Sequence, residues 1–85
     1  MTFEVHILLF GSARELAGND RIKINVKPQT TTAEIVHEIS EKYPILKEIA
    51  PHCVLAVGER YRHHHERLFL ESSTEIALIP PISGG

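Results

Sequence analysis

The chain has 85 residues, of which 42% are hydrophobic and 24% are charged, and its formal net charge at pH 7 is -2. These proportions are close to those of soluble globular domains, so they argue against a disordered or fibrous chain, and the length predicts one domain over residues 1–85. The negative net charge provides no broad cationic field for phosphate backbones, which argues against nucleic acid as a partner.

The cysteine content and the chain ends predict a compartment. Cys53 is the one cysteine of the sequence and therefore cannot form an internal disulfide. The first residues lack the basic start and apolar run of a secretory signal, and no stretch approaches the roughly 20 apolar residues that cross a bilayer. Neither end carries a lipidation motif. We therefore expect a cytosolic protein with no membrane association, in which Cys53 is a core residue of an apolar strand.

The first part of the chain reads as two strands joined by a short helix. Apolar residues at alternate positions predict a strand over residues 2–10. Residues 12–17, between two glycines, predict a short helical connection. Clean alternation predicts a second strand over residues 21–27, which Pro28 ends and which is expected to lie at a sheet edge.

The main helix is predicted from its cap and its periodicity. Thr31 and Glu34 have the spacing of a capping box, and apolar residues then recur at helical intervals. These features predict a helix over residues 32–42. Pro44 disfavours a helical conformation of the residue before it, and residues 45–49 are expected to form a short packed turn.

The remainder of the chain is expected to consist of strands. The apolar run 53–57 predicts a strand covered on both faces or lying at the sheet centre, and residues 58–59 predict a turn into a strand over 60–62. Further strands are expected over 68–70 and 75–79. The order β-β-α-β-β-β predicts an α+β domain in which a mixed sheet packs on one main helix, the β-grasp or ubiquitin-like arrangement.

The C-terminal tail is the segment that most clearly indicates a function. Pro80 and Pro81 lack amide donors, so they end strand pairing and keep the chain extended. Six extended residues span roughly 20 Å, enough to reach a buried site in a partner. Terminal glycines have no side chain to obstruct a narrow channel or to shield the carboxyl carbon. The expected tail consists of Pro80, Pro81, Ile82, Ser83, Gly84 and Gly85.

Two segments resemble those of the small subunit of molybdopterin synthase, a family of ubiquitin-like sulfur carriers. They are Leu9-Phe10-Gly11-Ser12-Ala13-Arg14-Glu15-Leu16-Ala17-Gly18 and Ala77-Leu78-Ile79-Pro80-Pro81-Ile82-Ser83-Gly84-Gly85. The resemblance implies that an activating adenylyltransferase uses ATP and magnesium to adenylate the carboxylate of Gly85. A sulfur donor then converts the acyl-adenylate to a thiocarboxylate.

The same resemblance implies the partner of this chain and which subunit carries the catalytic groups. The loaded tail would enter the large subunit of a heterotetrameric molybdopterin synthase, where its sulfur passes to cyclic pyranopterin monophosphate to form molybdopterin. The acids and bases of catalysis would belong to the large subunit, so this chain would be a non-catalytic subunit with no permanently bound cofactor.

An apolar docking face is also expected. Leu8 and Phe10 on the first strand, with Ala77 and Ile79 on the last, place apolar side chains on the sheet face opposite the main helix. Phe10, Tyr61 and Ile79 are the predicted partner-binding residues, because aromatic and aliphatic side chains dominate such contacts. The alternative is that loops cover these residues or that they are ordinary exposed apolar surface.

Three adjacent histidines, His63, His64 and His65, invite a metal-site interpretation. Consecutive residues of an extended chain cannot all point at one centre, so we interpret them as a solvated loop and predict no metal site. Three other functions remain open: a sulfur carrier for thiazole synthesis or another acceptor, a ubiquitin-like protein modifier, and a non-reactive interaction module.

Overall fold

The computed structural model describes residues 1–82. This part of the chain contains two helices, seven strands and two 3-10 turns. They are β1 (Phe3–Leu9), α1 (Gly11–Ala17), β2 (Arg21–Val26), β3 (Gln29–Thr31), α2 (Thr32–Lys42), the 3-10 turns Pro44–Leu46 and Ala50–His52, β4 (Val54–Val57), β5 (Arg60–Arg62), β6 (Arg67–Phe69) and β7 (Ile76–Ile79).

Five strands form the main sheet, in the order β2-β1-β7-β4-β5. The central pair, β1 and β7, is parallel, and the other neighbouring pairs are antiparallel. Helix α2 packs on one face of this mixed sheet, which we call the inner face. The predicted α+β β-grasp architecture is confirmed, and β2 lies at an edge as expected.

The helix α2 has the bounds that its sequence predicts. Its first turn is closed by a hydrogen bond in which the backbone N–H of Glu34 donates to Oγ1 of Thr31 at 3.1 Å. Ile35 and Ile39, one turn apart, are fully buried against the sheet. Pro44 begins the 3-10 turn directly after the helix.

The hydrophobic core lies between α2 and the inner face of the sheet. Branched aliphatic side chains fill it, among them Ile7, Ile24, Leu46, Ile76 and Leu78, all fully buried. Burying such side chains is the main favourable contribution to folding, at roughly 1.5–3 kcal/mol each. Across residues 1–82, neither helix has the length and apolar character needed to cross a membrane.

A second, two-stranded sheet was not predicted. It pairs β3 with β6, with Gln29 opposite Phe69 and Thr30 opposite Leu68. The segment Gln29–Thr31 gave no strand signal because it is only three residues long and contains no apolar residue. The strand predicted over residues 68–70 begins and ends one residue earlier in the structure, where β6 is Arg67–Phe69. Leu70 lies outside the strand, and its backbone N–H donates to the carbonyl of Pro28 at 2.7 Å.

Two further strand predictions were wrong in detail. Strand β1 ends at Leu9, because Phe10 already serves as the N-cap residue of α1 and Gly11 has a positive φ of 53°. Strand β4 is covered on one face only, and the side chain of Val54 is 42% exposed. The apolar run had been predicted to be a strand covered on both faces or lying at the sheet centre. The first alternative is wrong because part of the run lies on an exposed apolar surface, whereas β4 is an interior strand between β7 and β5.

Candidate functional site

The candidate site begins where β7 ends. The strand stops at Ile79, and Pro80 and Pro81 continue outside it, as expected of residues without an N–H to donate. Ile82 is 97% exposed. The predicted reactive group, the carboxylate of Gly85, lies outside the described residues, as do Ser83 and Gly84.

The start of α1 lies beside the root of the tail. A Cβ added to Gly11 would lie 3.8 Å from Cγ of Pro80, which is ordinary van der Waals contact. Because β1 and β7 are parallel neighbours, their C-terminal ends lie at the same end of the sheet. The residues that follow them, Gly11 and Pro80, are therefore close together. The φ of Gly11, +53°, lies in the region that glycine adopts most easily. The first helix and the tail are therefore adjacent.

Apolar side chains form a row across the outer face of the sheet, the face opposite α2. Leu8 is opposite Ala77, Ala77 is opposite Ala56, and Ala56 is opposite Tyr61. Residues directly opposite one another in a sheet project to the same face, so these four side chains are neighbours. Tyr61 is the most accessible of them, with 74% of its surface exposed.

A second apolar row lies next to the tail. Ile79 is opposite Val54, and Phe10 follows Leu9, which is opposite Leu78, so Phe10 lies beside Ile79 at the sheet end. Phe10 is 46% exposed. We call the two rows together the outer-face patch, which comprises Leu8, Phe10, Val54, Ala56, Tyr61, Ala77 and Ile79.

The structure thus brings the three predicted partner-binding residues, Phe10, Tyr61 and Ile79, onto one face near the tail root. Their contact with a partner stays a prediction. Sequence reasoning missed Val54 and Ala56, which connect Ile79 and Ala77 to β5. No alternation in the apolar run of β4 reveals which side chains face outward, so only the strand register could identify them.

The three histidines lie in a turn between β5 and β6, and all are exposed. This turn is attached to α2 through the buried Thr32, whose hydroxyl donates to the carbonyl of His63 at 2.6 Å and accepts from the N–H of Glu66 at 3.1 Å. Among residues 1–82, no group of three His, Cys, Asp or Glu side chains has an arrangement that could hold a metal ion.

An ion pair stabilises the same turn. Nη1 of Arg62 lies 2.7 Å from Oε2 of Glu66, while Nε and Nη2 of Arg62 donate to the carbonyl of Val57. The hydrogen bond from Arg62, followed by the one from the backbone N–H of His63, lowers the pKa of Glu66 below its usual range. These bonds connect the β4–β5 hairpin to the histidine turn, which indicates a structural role.

Cys53 is buried, as predicted, with 3% of its surface exposed, but it directly precedes β4 and is not part of the strand. Its Sγ donates to the carbonyl of Ile49 at 3.3 Å. Burial raises the pKa of the Cys53 thiol, so the nucleophilic thiolate is disfavoured. The side chain is therefore suited to packing rather than to accepting or transferring sulfur.

Comparison with known proteins shows the family of this chain. The ThiS family model matches residues 7–85. A molybdopterin synthase sulfur carrier subunit from Caenorhabditis briggsae is 41% identical over 81 residues, which cover 95% of this chain and 96% of the relative.

Two solved structures share the fold. The crystal structure of SAMP1 from Haloferax volcanii superposes with a TM-score of 0.78 at 20% sequence identity. The match covers 98% of this chain and 100% of the SAMP1 chain. A chain in the complex of subunits 1 and 2 of molybdopterin-converting factor from Helicobacter pylori has a TM-score of 0.62 at 20% identity, with coverage of 98% and 100%. From the family match over residues 7–85 and the identity to a curated relative along nearly the whole chain, this protein belongs to the ThiS family.

Proposed function

We propose that this chain is the sulfur carrier subunit of a molybdopterin synthase, with the carboxylate of Gly85 as its reactive group. The observation that supports the proposal best is the likeness to molybdopterin synthase sulfur carrier subunits, which extends over 95% of the chain. The tail of two prolines and two glycines then supplies the chemical feature that such a carrier needs.

The proposed chemistry begins with activation of the tail. A carboxylate is a poor electrophile, so its oxygen can be exchanged for sulfur only after a good leaving group is attached. An activating enzyme would transfer AMP from magnesium-bound ATP to the carboxylate of Gly85 and release pyrophosphate. A sulfur donor would then attack the acyl carbon, and AMP would leave as the thiocarboxylate forms.

The tail residues would present that carbon to two different enzymes. Pro80 and Pro81 would keep the backbone extended beyond the sheet, and the start of α1 lies beside the root of the tail at Pro80. Gly84 and Gly85 have no Cβ, so a narrow channel could admit them. The exposed Ile82 would be available to a pocket at the channel mouth.

The second half of the reaction would take place in the large subunit. We propose that the thiocarboxylate passes its sulfur to cyclic pyranopterin monophosphate there, and that the acids and bases belong to that subunit. The Helicobacter pylori complex joins subunits 1 and 2 of molybdopterin-converting factor, which supports a partner of this kind. The raised pKa of Cys53 makes this side chain a poor alternative sulfur acceptor. We place the reaction in the cytosol, where ATP is available and a lone thiol stays reduced.

Intact-mass measurement tests the carrier step. The chain is incubated with its candidate activating enzyme, ATP, magnesium and a sulfur donor, and its C-terminal peptide is then fragmented. We expect an oxygen-to-sulfur mass increase at Gly85 and no increase in a control chain extended by one alanine after Gly85. No change in the native chain, with an activating enzyme that is competent on another carrier, would overturn the proposal.

The loaded chain then tests the destination of the sulfur. Mixed with the large subunit and cyclic pyranopterin monophosphate, it should lose its extra mass as molybdopterin forms. A thiocarboxylate that survives this incubation, with a large subunit active towards another carrier, would indicate thiazole synthesis or another sulfur acceptor. Conjugates to lysine in cells would instead indicate a protein modifier.

A further inference from the structure

The histidine turn borders a cavity of about 250 Å³ that the proposed function does not use. The first turns of α2 and the strand β4 form mainly apolar walls, with Ala33, Val36 and Leu55 among the lining residues. Arg62 and the three histidines, residues 63–65, line the rest of the cavity. Within residues 1–82, no aspartate or glutamate lines it. A mostly apolar concavity with a few polar groups is the usual form of a ligand site.

The histidine side chains are the polar groups of this cavity that are left to bind a ligand. The guanidinium of Arg62 already bonds to the carboxylate of Glu66 and the carbonyl of Val57. The hydroxyl of Thr32 is occupied as well. All three histidines are exposed, and the hydrogen bonds of His63 within residues 1–82 use its backbone. An imidazole ring donates one hydrogen bond when neutral and two when protonated, so an anionic group fits these residues.

The cavity lies at the same end of the sheet as the root of the tail. Val54, which lines the cavity, is directly opposite Ile79, the last residue of β7. The histidine turn follows Arg62, which is opposite Leu55 on the other side of β4. Neighbouring strands are about 4.8 Å apart, so the turn begins about 10 Å from the end of β7.

The tail has the chemistry that this cavity fits. Ile82, which is 97% exposed, supplies an apolar side chain, and the proposed reactive carboxylate of Gly85 follows three residues later. Pro80 and Pro81 disfavour a reversal of the backbone towards the cavity of the same chain, and none of residues 80–82 lines it. The tail of a second copy does not need this reversal.

We propose that the cavity binds the tail of a second copy of this chain, with Ile82 against the apolar wall and the carboxylate of Gly85 bonded to the histidines. The inference rests on one part of the proposed function, the free carboxylate of Gly85. Because the tail root and the cavity lie at one end of the sheet, two copies that meet at these ends exchange tails symmetrically. Each pair then makes two linked contacts, which reinforce one another.

Such a pair regulates access to the reactive end. A carboxylate bound in the cavity of a second copy is withheld from the activating enzyme, which acts only on a released tail. Pairing follows mass action, so the fraction of released tails falls as the concentration of the chain rises. The activation rate per chain should therefore fall at high chain concentration.

A synthetic peptide with the sequence of residues 79–85 tests the cavity directly. The N-acetylated peptide is added, as the free acid or as the C-terminal amide, to the isotope-labelled full chain, and the backbone amide signals of Ala33, Val36 and Leu55 are followed by NMR. We expect the free acid to shift these signals and to bind at least about tenfold more tightly than the amide, which has no charged oxygen to accept hydrogen bonds. Equal binding of the two peptides, or no shift at the cavity, would overturn the inference.

Two matched variants test the pair. H64E places a carboxylate at the cavity, and H6E makes the same change at an exposed position of β1. Sedimentation velocity over a range of chain concentrations measures self-association, and thermal melting reports the fold. Because like charges repel, we expect self-association to weaken at least about tenfold in H64E and to stay within about threefold of the wild type in H6E.

The variant H64A replaces H64E if the latter melts at a lower temperature, and it should weaken the pair in the same direction. A wild-type chain that stays monomeric at concentrations where the free-acid peptide binds would overturn the second-copy inference. Equal self-association of the wild type and H64E, or an equal loss in H64E and H6E, would also overturn it.

The measurements separate this inference from the proposed function. If Gly85 takes up sulfur while the free-acid peptide does not bind, only the inference is wrong. If the peptide binds and the pair forms while a competent activating enzyme and a sulfur donor leave the mass of the chain unchanged, only the proposed function is wrong.

Discussion

The phenol oxygen of Tyr43 forms two hydrogen bonds with the backbone of Lys23, donating to its carbonyl at 3.1 Å and accepting from its N–H at 3.3 Å. Lys23 lies in β2, the edge strand of the sheet, and Tyr43 follows the last turn of α2. One hydroxyl thus occupies both polar groups that this residue would otherwise present to another strand. Unpaired edges are sites of unwanted strand pairing, so Tyr43 also protects β2.

Tyr43→Phe should therefore destabilise the fold. Loss of the two hydrogen bonds is expected to lower the free energy of unfolding by about 1 kcal/mol, measured by urea denaturation. Tyr61→Phe is the matched control, because within residues 1–82 the hydroxyl of Tyr61 makes no hydrogen bond and its side chain is exposed. Equal losses in the two variants would contradict a specific role for the Tyr43 hydroxyl.

Thr32→Val should loosen the histidine turn. The hydroxyl of Thr32 is buried and serves as donor to His63 and acceptor from Glu66, so valine would fill the space but leave both backbone groups without this partner. We expect a loss of about 1–3 kcal/mol in the free energy of unfolding and faster amide hydrogen exchange at Glu66. Thr2→Val, at an exposed position, is the control. Unchanged exchange at Glu66 would show that Thr32 does not hold the turn.

The ion pair between Arg62 and Glu66 should make stability depend on pH. Because the pKa of Glu66 is lower in the folded chain than in the unfolded chain, the ionised carboxylate stabilises the fold. This contribution is complete above the unfolded-state pKa and is lost as the pH falls through the folded-state pKa. The melting temperature of the wild type should therefore exceed that of Glu66→Gln at pH 7, and the difference should shrink as the pH is lowered towards 3. A difference that stays constant over this range would contradict the stabilising role of the charge.

Glu59→Gly should stabilise the β4–β5 hairpin. Gly58 and Glu59 form a two-residue connection in which both φ angles are positive, at 61° and 66°. A left-handed conformation costs a residue other than glycine roughly 1–2 kcal/mol, which exceeds the roughly 0.4–1 kcal/mol that glycine costs through the extra freedom of the unfolded chain. We expect the free energy of unfolding to rise by about 0.5–1 kcal/mol. Glu48→Gly, at an exposed position without a positive φ, should lower it, and a loss in both variants would show that Glu59 is not strained.

Phe10→Ala and Ile79→Asp should weaken binding to the large subunit without unfolding the chain. Both side chains belong to the outer-face patch. The minority of interface residues that act as central anchors each contribute more than about 1 kcal/mol, which is about a fivefold change in affinity. Calorimetric titration measures the affinity and thermal melting the fold. Phe69→Ala is the control, since Phe69 is 76% exposed on the separate β3–β6 sheet. Wild-type affinity in both patch variants would exclude the patch as the docking site.

The sequence alone determined those features whose cause is local. The capping pair Thr31 and Glu34 and the proline at position 44 delimit α2 because they act on the backbone within a few residues. The alternation of apolar and polar residues predicted which side chains of β1 and β2 face the core, because each strand has one buried face and one more accessible face. The function also followed from local features, because the glycine and proline residues of the tail restrict the chemistry of the chain end whatever the rest of the molecule does.

The tertiary structure decided everything that depends on register between distant strands. The pairing of β3 with β6 could not be read from Gln29–Thr31, because only tertiary contact makes that segment a strand. The apolar run of β4 could not reveal which of its side chains face outward. The pairing of β4 with β7 shows that Val54 lies opposite Ile79 and Ala56 opposite Ala77 on the outer face. The position of Arg21 beside Leu8 likewise depends on the β1–β2 register. The sequence therefore predicts which end of the chain reacts, and the sheet register decided which apolar side chains lie beside the root of that end.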